Sequence, residues 1–120
     1  YAHARVSSVL RQAGIARDEA AARFASADLS PLDGVHERAL LNLLADYPGE
    51  LAEAAREFAP HRLAAYLKDL AGAFHGWYNS ERFLVDDAKV RDARLALAVA
   101  TGEVLRNGLA VLGIGAPDQM

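Results

Sequence analysis

The chain has 120 residues, a net charge of −3 and no cysteine. A single domain of this length buries about two-thirds of its unfolded surface, so it needs no covalent staples, and the absent thiols exclude disulfides and thiolate zinc sites. The slight acidity argues against indiscriminate polyanion binding, so any nucleic-acid contact must rest on a local patch. No segment approaches the roughly 18 apolar residues of a membrane span, and no signal-peptide pattern is present, which predicts a cytoplasmic location and no membrane partner.

The first predicted helix is "YAHARVSSVLRQAG", ending near Ala13 and stopped by Gly14, a residue suited to a left-handed cap. At about 100° per residue, Val6, Val9, Leu10 and Ala13 share one side, while Tyr1, Arg5, Ser8 and Gln12 fall within roughly a 60° arc on another. One side is built for a core and the other for a partner. A helix already under way at Tyr1, with no initiator methionine, is expected of a piece cut from a longer chain. Residues 15–33 then read as a long surface connection with room to move, because "SADLSPLDG" is turn chemistry.

A second helix, "VHERALLNLLADY", is predicted to stop before Pro48. A third, "PGELAEAAREFA", starts there, with Glu50 and Glu53 near the positive end of its dipole. Pro60 begins the fourth, "PHRLAAYLKDLAGAFHGWYNSERFL", and a fifth spans about Asp87 to Leu112. No strand-like alternation appears. The expected fold is all-α: one domain over residues 1–120, an antiparallel bundle of about five helices.

The fourth helix has three sides. Leu63, Tyr66, Leu67, Leu70, Phe74 and Trp77 form a core stripe. Ala65, Gly72 and Gly76 are small enough for another helix to approach. About a quarter-turn from the core lie Lys68, Ala71, His75, Tyr78, Asn79 and Arg82, an aromatic and cationic face. Rings stack on unpaired bases for about 1–3 kcal/mol and guanidinium groups pair with phosphates or base edges. A solvated rim around the core produces the same pattern.

Enzyme signatures are missing. His3, His36, His61 and His75 lack metal-ligand spacing, and there is no nucleophile elbow, phosphate loop or dinucleotide fingerprint. Glu and Asp fall at helix starts and exposed positions, where dipole compensation and solubility account for them. No catalytic residue, metal or cofactor is expected in this chain.

Three stretches taken together, "YAHARVSSVLRQAG", "EFAPHRLAAYLKDLAGAFHGWYNSERFL" and "RLALAVATGEVLRNGLAVLGIGAPDQM", closely resemble the C-terminal anticodon-binding, or DALR, domain of arginyl-tRNA synthetases. The likeness runs in the family's order over nearly the whole chain, with 15–33 generic. It implies the last domain of a class I ligase that joins arginine to its tRNA with ATP and Mg. The HIGH-like and KMSK-like segments of that class are not in this chain, so it should bind RNA without catalysing anything. The partners implied are the tRNA(Arg) anticodon stem-loop and the catalytic domain of the same enzyme, not DNA. The contact residues implied are Tyr1, Arg5, His75, Tyr78, Arg82 and Met120.

Two positions depart from the family pattern. Glu81 stands where a small residue or Cys is usual, and "APDQM" where "APERM" is more common; the first adds an acid, the second loses an arginine, and both weaken a local positive patch. Every arginine codon has a middle G, so every arginine anticodon has a middle C, the natural identity base. The expected pocket has Tyr78 or Tyr1 stacking, Arg5 and Arg82 on phosphates or base edges, and the Met120 carboxylate accepting from the cytosine amino group. Other readings are the anticodon domain of a related class I synthetase, such as the cysteine enzyme, and a helical protein-interaction module. His61 and Arg62 fit RNA contact or a tie at the helix start equally well. Tyr66 and Trp77 are expected to pack, and Arg91, Arg94 and Arg106 to be solvated or paired with acids.

Overall fold

The computed structural model describes residues 2–15, 19, 28–81 and 85–113. Among them are four helices: α1 (Ala2–Gln12), α2 (Val35–Arg56), α3 (Pro60–Ser80) and α4 (Ala88–Val111). None is long and apolar enough to cross a membrane. α2 packs on α3, α3 on α4, and α1 on α4. The common core centres on Leu40, Leu63, Leu70, Phe74, Trp77, Leu95 and Leu97. Most of the 15–33 connection, where mobility is expected, lies outside the described residues.

The expected break at Pro48 does not occur. α2 runs through the proline as one helix, so two of the five expected helices are one. An interior proline removes the bond to the carbonyl four residues back, here Leu44, and costs about 3 kcal/mol. Packing outweighs that cost, because one stripe stays in phase on both sides of Pro48. Leu40, Leu43, Leu44 and Tyr47 precede it, Leu51 and Ala54 follow it, and all belong to or pack on the core. Tyr47 stacks on Tyr66 at 5.8 Å between ring centroids, and the Tyr66 hydroxyl donates to the Leu43 carbonyl. Pro48→Ala restores the missing bond, and an unfolding free energy higher by about 1–3 kcal/mol is expected. A raised urea midpoint at unchanged m would show it; an unchanged or lower midpoint would mean that the proline fits a bend the packing requires.

Other boundaries follow local chemistry. α1 ends in a turn with Gly14 at φ +74°. The Asp87 carboxylate caps α4 by accepting from the backbone N–H of Lys89 and Val90 at 3.0 and 3.3 Å. α3 stops at Ser80, four residues before the expected Leu84; Glu81 is extended, with φ −128° and ψ 147°.

The small-residue side of α3 is not a packing face. Ala65 and Gly72 are exposed, a Cβ on Gly72 would touch nothing, and one on Gly76 would meet only the His36 ring at 3.5 Å. Close approach is on α4 instead. A Cβ on Gly108 would lie 2.7 Å from Leu67 Cδ2, and one on Gly102 would lie 3.0 Å from Val6 Cγ1. These two glycines let α4 seat α3 and α1 side by side.

Candidate nucleic-acid interface

On α1, Ala4 and Val6 are buried on either side of Arg5 in the chain, which fixes where its long side chain starts. On α3, Phe74 is wholly buried and Tyr78 half-buried, with ring centroids 6.1 Å apart and planes inclined by 36°. The two faces identified from periodicity meet here. The Arg5 guanidinium carbon stands 4.8 Å from the centroid of the Tyr78 ring, within the roughly 6 Å over which a ring quadrupole attracts a cation.

His75, three residues before Tyr78 on α3, has its ring centroid 6.3 Å from that of Phe74. Partial burial, aided by the nearby Arg5 charge, lowers its pKa below the ordinary 6.5. The folded protein thus holds the imidazole neutral where the unfolded chain would protonate it. The contribution to stability is complete above about pH 6.5 and declines as the pH falls toward the folded value. An NMR titration should place His75 below 6.5. Arg5→Gln should move it only part of the way back, since burial is the larger cause; no movement would show that Arg5 does not reach the ring electrostatically.

Behind this face is a polar node. Glu37, in the first turn of α2, is 3% exposed, so it is not the solvated helix-start acid expected. Its carboxylate accepts from the Gly34 backbone N–H and from the Trp77 indole N–H, each at 3.1 Å. Arg94 of α4 places Nε 3.5 Å from Glu37 and Nη2 3.3 Å from Glu81. Trp77 packs as expected and also donates. Arg94 is paired as expected, and Glu81, the acid that departs from the family pattern, has Arg94 as its counterion.

Elsewhere, Arg62 contacts two acids of the α2 end, with Nε 2.9 Å from Glu50 and Nη1 3.4 Å from Glu57. It ties the α2–α3 hairpin, and its hydrogen bond to Glu50 holds that carboxyl below its ordinary pKa. His61 and Lys68 are exposed. Arg106 pairs with Glu103 at 2.6 Å. Of the expected contact residues, Arg5, His75 and Tyr78 come together, while Tyr1, Arg82 and Met120 lie outside the described residues. Among the described residues no group of three or more His, Cys, Asp or Glu could hold a metal ion.

Comparison with known proteins agrees with the resemblance read from the motifs. The profile of the DALR anticodon binding domain matches residues 1–120. The chain is 53% identical over 120 residues to the arginine–tRNA ligase of Dechloromonas aromatica, covering all of this chain and 20% of that protein. It is 54% identical over 120 residues to the ligase of Acidovorax ebreus, covering all of this chain and 21% of that one. Among solved structures, the Thermus thermophilus arginyl-tRNA synthetase superposes with a TM-score of 0.83 at 36% identity, over all of this chain and 20% of that one. A putative arginyl-tRNA synthetase from Campylobacter jejuni gives 0.80 at 28% identity, over all of this chain and 25% of that one. The chain thus spans about a fifth of the length of the curated relatives it matches.

Proposed function

Because the chain belongs to the DALR anticodon binding domain family, we propose that it grips the anticodon loop of tRNA(Arg), as one domain of a synthetase that selects its tRNA for aminoacylation with arginine. The observation that carries this reading is the meeting of Arg5, His75 and Tyr78 on one face formed by α1 and α3. Rings and a planar cation together suit unstacked bases and the phosphates between them. The named relatives are arginine–tRNA ligases, which favours the arginine system over that for cysteine. Tyr1, Arg82 and Met120 are proposed as further RNA contacts on the strength of the family resemblance alone. ATP, Mg and amino-acid activation are assigned to the part of the synthetase outside this chain.

The test is fluorescence anisotropy with an arginine anticodon stem-loop, beside the same loop with its middle C changed to U. A preference for C of about tenfold, equivalent to about 1.4 kcal/mol, is expected, and Tyr78→Ala should abolish it. Log affinity should fall with log salt at about −0.7 per phosphate contacted. Equal binding of both loops would remove anticodon reading from these residues. A flat salt response would favour the protein-interaction reading.

A further inference from the structure

α2 closes on a turn that suits glycine and holds phenylalanine. The Phe58 N–H donates to the Ala55 carbonyl at 3.3 Å and the Ala59 N–H to the Ala54 carbonyl at 2.9 Å, the paired bonds that end a helix on a left-handed residue. Phe58 is that residue, at φ 51°, and among the described residues no other non-glycine has a positive φ. The ends of α1 and α4 use Gly14 and Gly113 for the same conformation, at φ +74° and +78°. For a bulky side chain such a backbone is an outlier, and it points to a role beyond the turn. The apolar contact that accompanies this turn falls to the next residue, here the buried Ala59. The Phe58 ring is 92% exposed, so contacts within the chain offset neither the backbone strain nor the cost of an aromatic ring in water.

Beside the ring is a groove of about 450 Å³ where the ends of α2, α3 and α4 meet, with Leu51, Ala55, Leu63, Val111 and Leu112 among its walls. Every described residue that lines it is apolar, so it lacks the polar groups that orient a small ligand. RNA is also disfavoured there. Glu50, Glu53 and Glu57 stand at this end, and Arg56 and Arg62 are committed to them. One ring of roughly 150–250 Å² and one groove fall short of the roughly 1,000 Å² that separate molecules need. They suffice within one polypeptide, where the covalent link supplies a high local concentration. The chain spans about a fifth of the length of its curated relatives, so a protein of their length has a large body for it to pack on. We propose that Phe58 and this groove are the docking point for an apolar side chain of the synthetase body, the part outside this chain. Along α3, Pro60 and Tyr78 are 18 residues apart, roughly 27 Å at 1.5 Å per residue, so body and RNA take opposite ends of the domain.

The inference rests on the synthetase reading, and its test separates the two. In the intact synthetase, with tRNA(Arg) present, Phe58 is replaced by the photocrosslinking analogue p-benzoylphenylalanine, and the adduct is mapped by mass spectrometry. An adduct within the same polypeptide, to a residue of the body outside this chain, is expected. An adduct to the tRNA would make the ring a stacking platform for RNA, one to a second copy would make the groove a dimer contact, and one within residues 1–120 would give the ring a seat in its own domain. Each of these, or no adduct at all, overturns the inference. Phe58→Gly in this chain supplies a second reading. It relieves the left-handed strain and should raise the folded-to-unfolded ratio about fivefold, seen as a higher urea midpoint. An unchanged or lower midpoint would mean that the ring is already held within the chain, which also overturns the inference. Charging of tRNA(Arg) with arginine tests the underlying reading by itself: a protein that crosslinks as expected but does not charge keeps the docking point and loses the tRNA assignment.

Discussion

Glu37→Ala is expected to lower the unfolding free energy by about 3–5 kcal/mol, the usual result of removing one partner from a buried ion pair. The carboxylate is 3% exposed and has three neighbours that depend on it. Without it, the Gly34 N–H and the buried Trp77 indole N–H lose their acceptor. Arg94, whose side chain is 17% exposed, keeps only Glu81 as a described counterion. Glu37→Gln should cost less, since its amide oxygen still accepts one of these bonds and only the charge is lost. Denaturant unfolding of both variants decides the matter. A loss below about 1 kcal/mol for the alanine variant would mean that water enters the site and solvates Arg94 and Trp77.

Phe74→Ala is expected to cost about 3–5 kcal/mol as well, through lost burial and the cavity left behind. It differs in reaching the proposed recognition face. The Phe74 ring touches three others, with centroids 6.0 Å from Trp77, 6.1 Å from Tyr78 and 6.3 Å from His75. Without it, the Tyr78 ring has no backing and settles inward, carrying Arg5 with it. Phe74→Leu separates the two effects: it fills most of the volume at a cost of about 1–1.5 kcal/mol, yet should weaken RNA binding as the ring contact disappears. If Phe74→Leu is folded and binds RNA as the wild type does, the aromatic backing of Tyr78 is irrelevant to recognition.

Much of the fold is legible in the pattern of residues because its signals are local. Gly14 and Asp87 mark helix boundaries by turn and cap chemistry, and the stripe from Leu63 to Trp77 identifies the buried side of α3. The failures occur where distant contacts override local rules. Pro48 lies inside a helix because the apolar stripe of α2 remains in phase through it, with Tyr47 against Tyr66. α3 ends at Ser80, where Glu81 turns out to meet Arg94 of another helix. The same distinction applies to the proposed recognition face. Periodicity alone separates the face with Arg5 from the face with His75 and Tyr78, but it cannot show that they touch, since that depends on how α4 seats both helices. Nor does any local signal single out Glu37, because its partners Trp77 and Arg94 come from two other helices.

The way α1 is held has a consequence for assembly. Val6, Val9 and Leu10 are buried in the common core, and Val6 packs where Gly102 leaves room on α4. The proposed recognition face is therefore a two-part device: Arg5 arrives on one part, and Phe74, His75 and Tyr78 on the other. The covalent link between Ile15 and Asp28 raises the local concentration of one part around the other, an effect that reaches the millimolar range for short links. A proteolytic nick in that link would turn recognition into a bimolecular association. Dilution would then release α1 and Arg5, and a synthetic α1 peptide added in trans would restore the face.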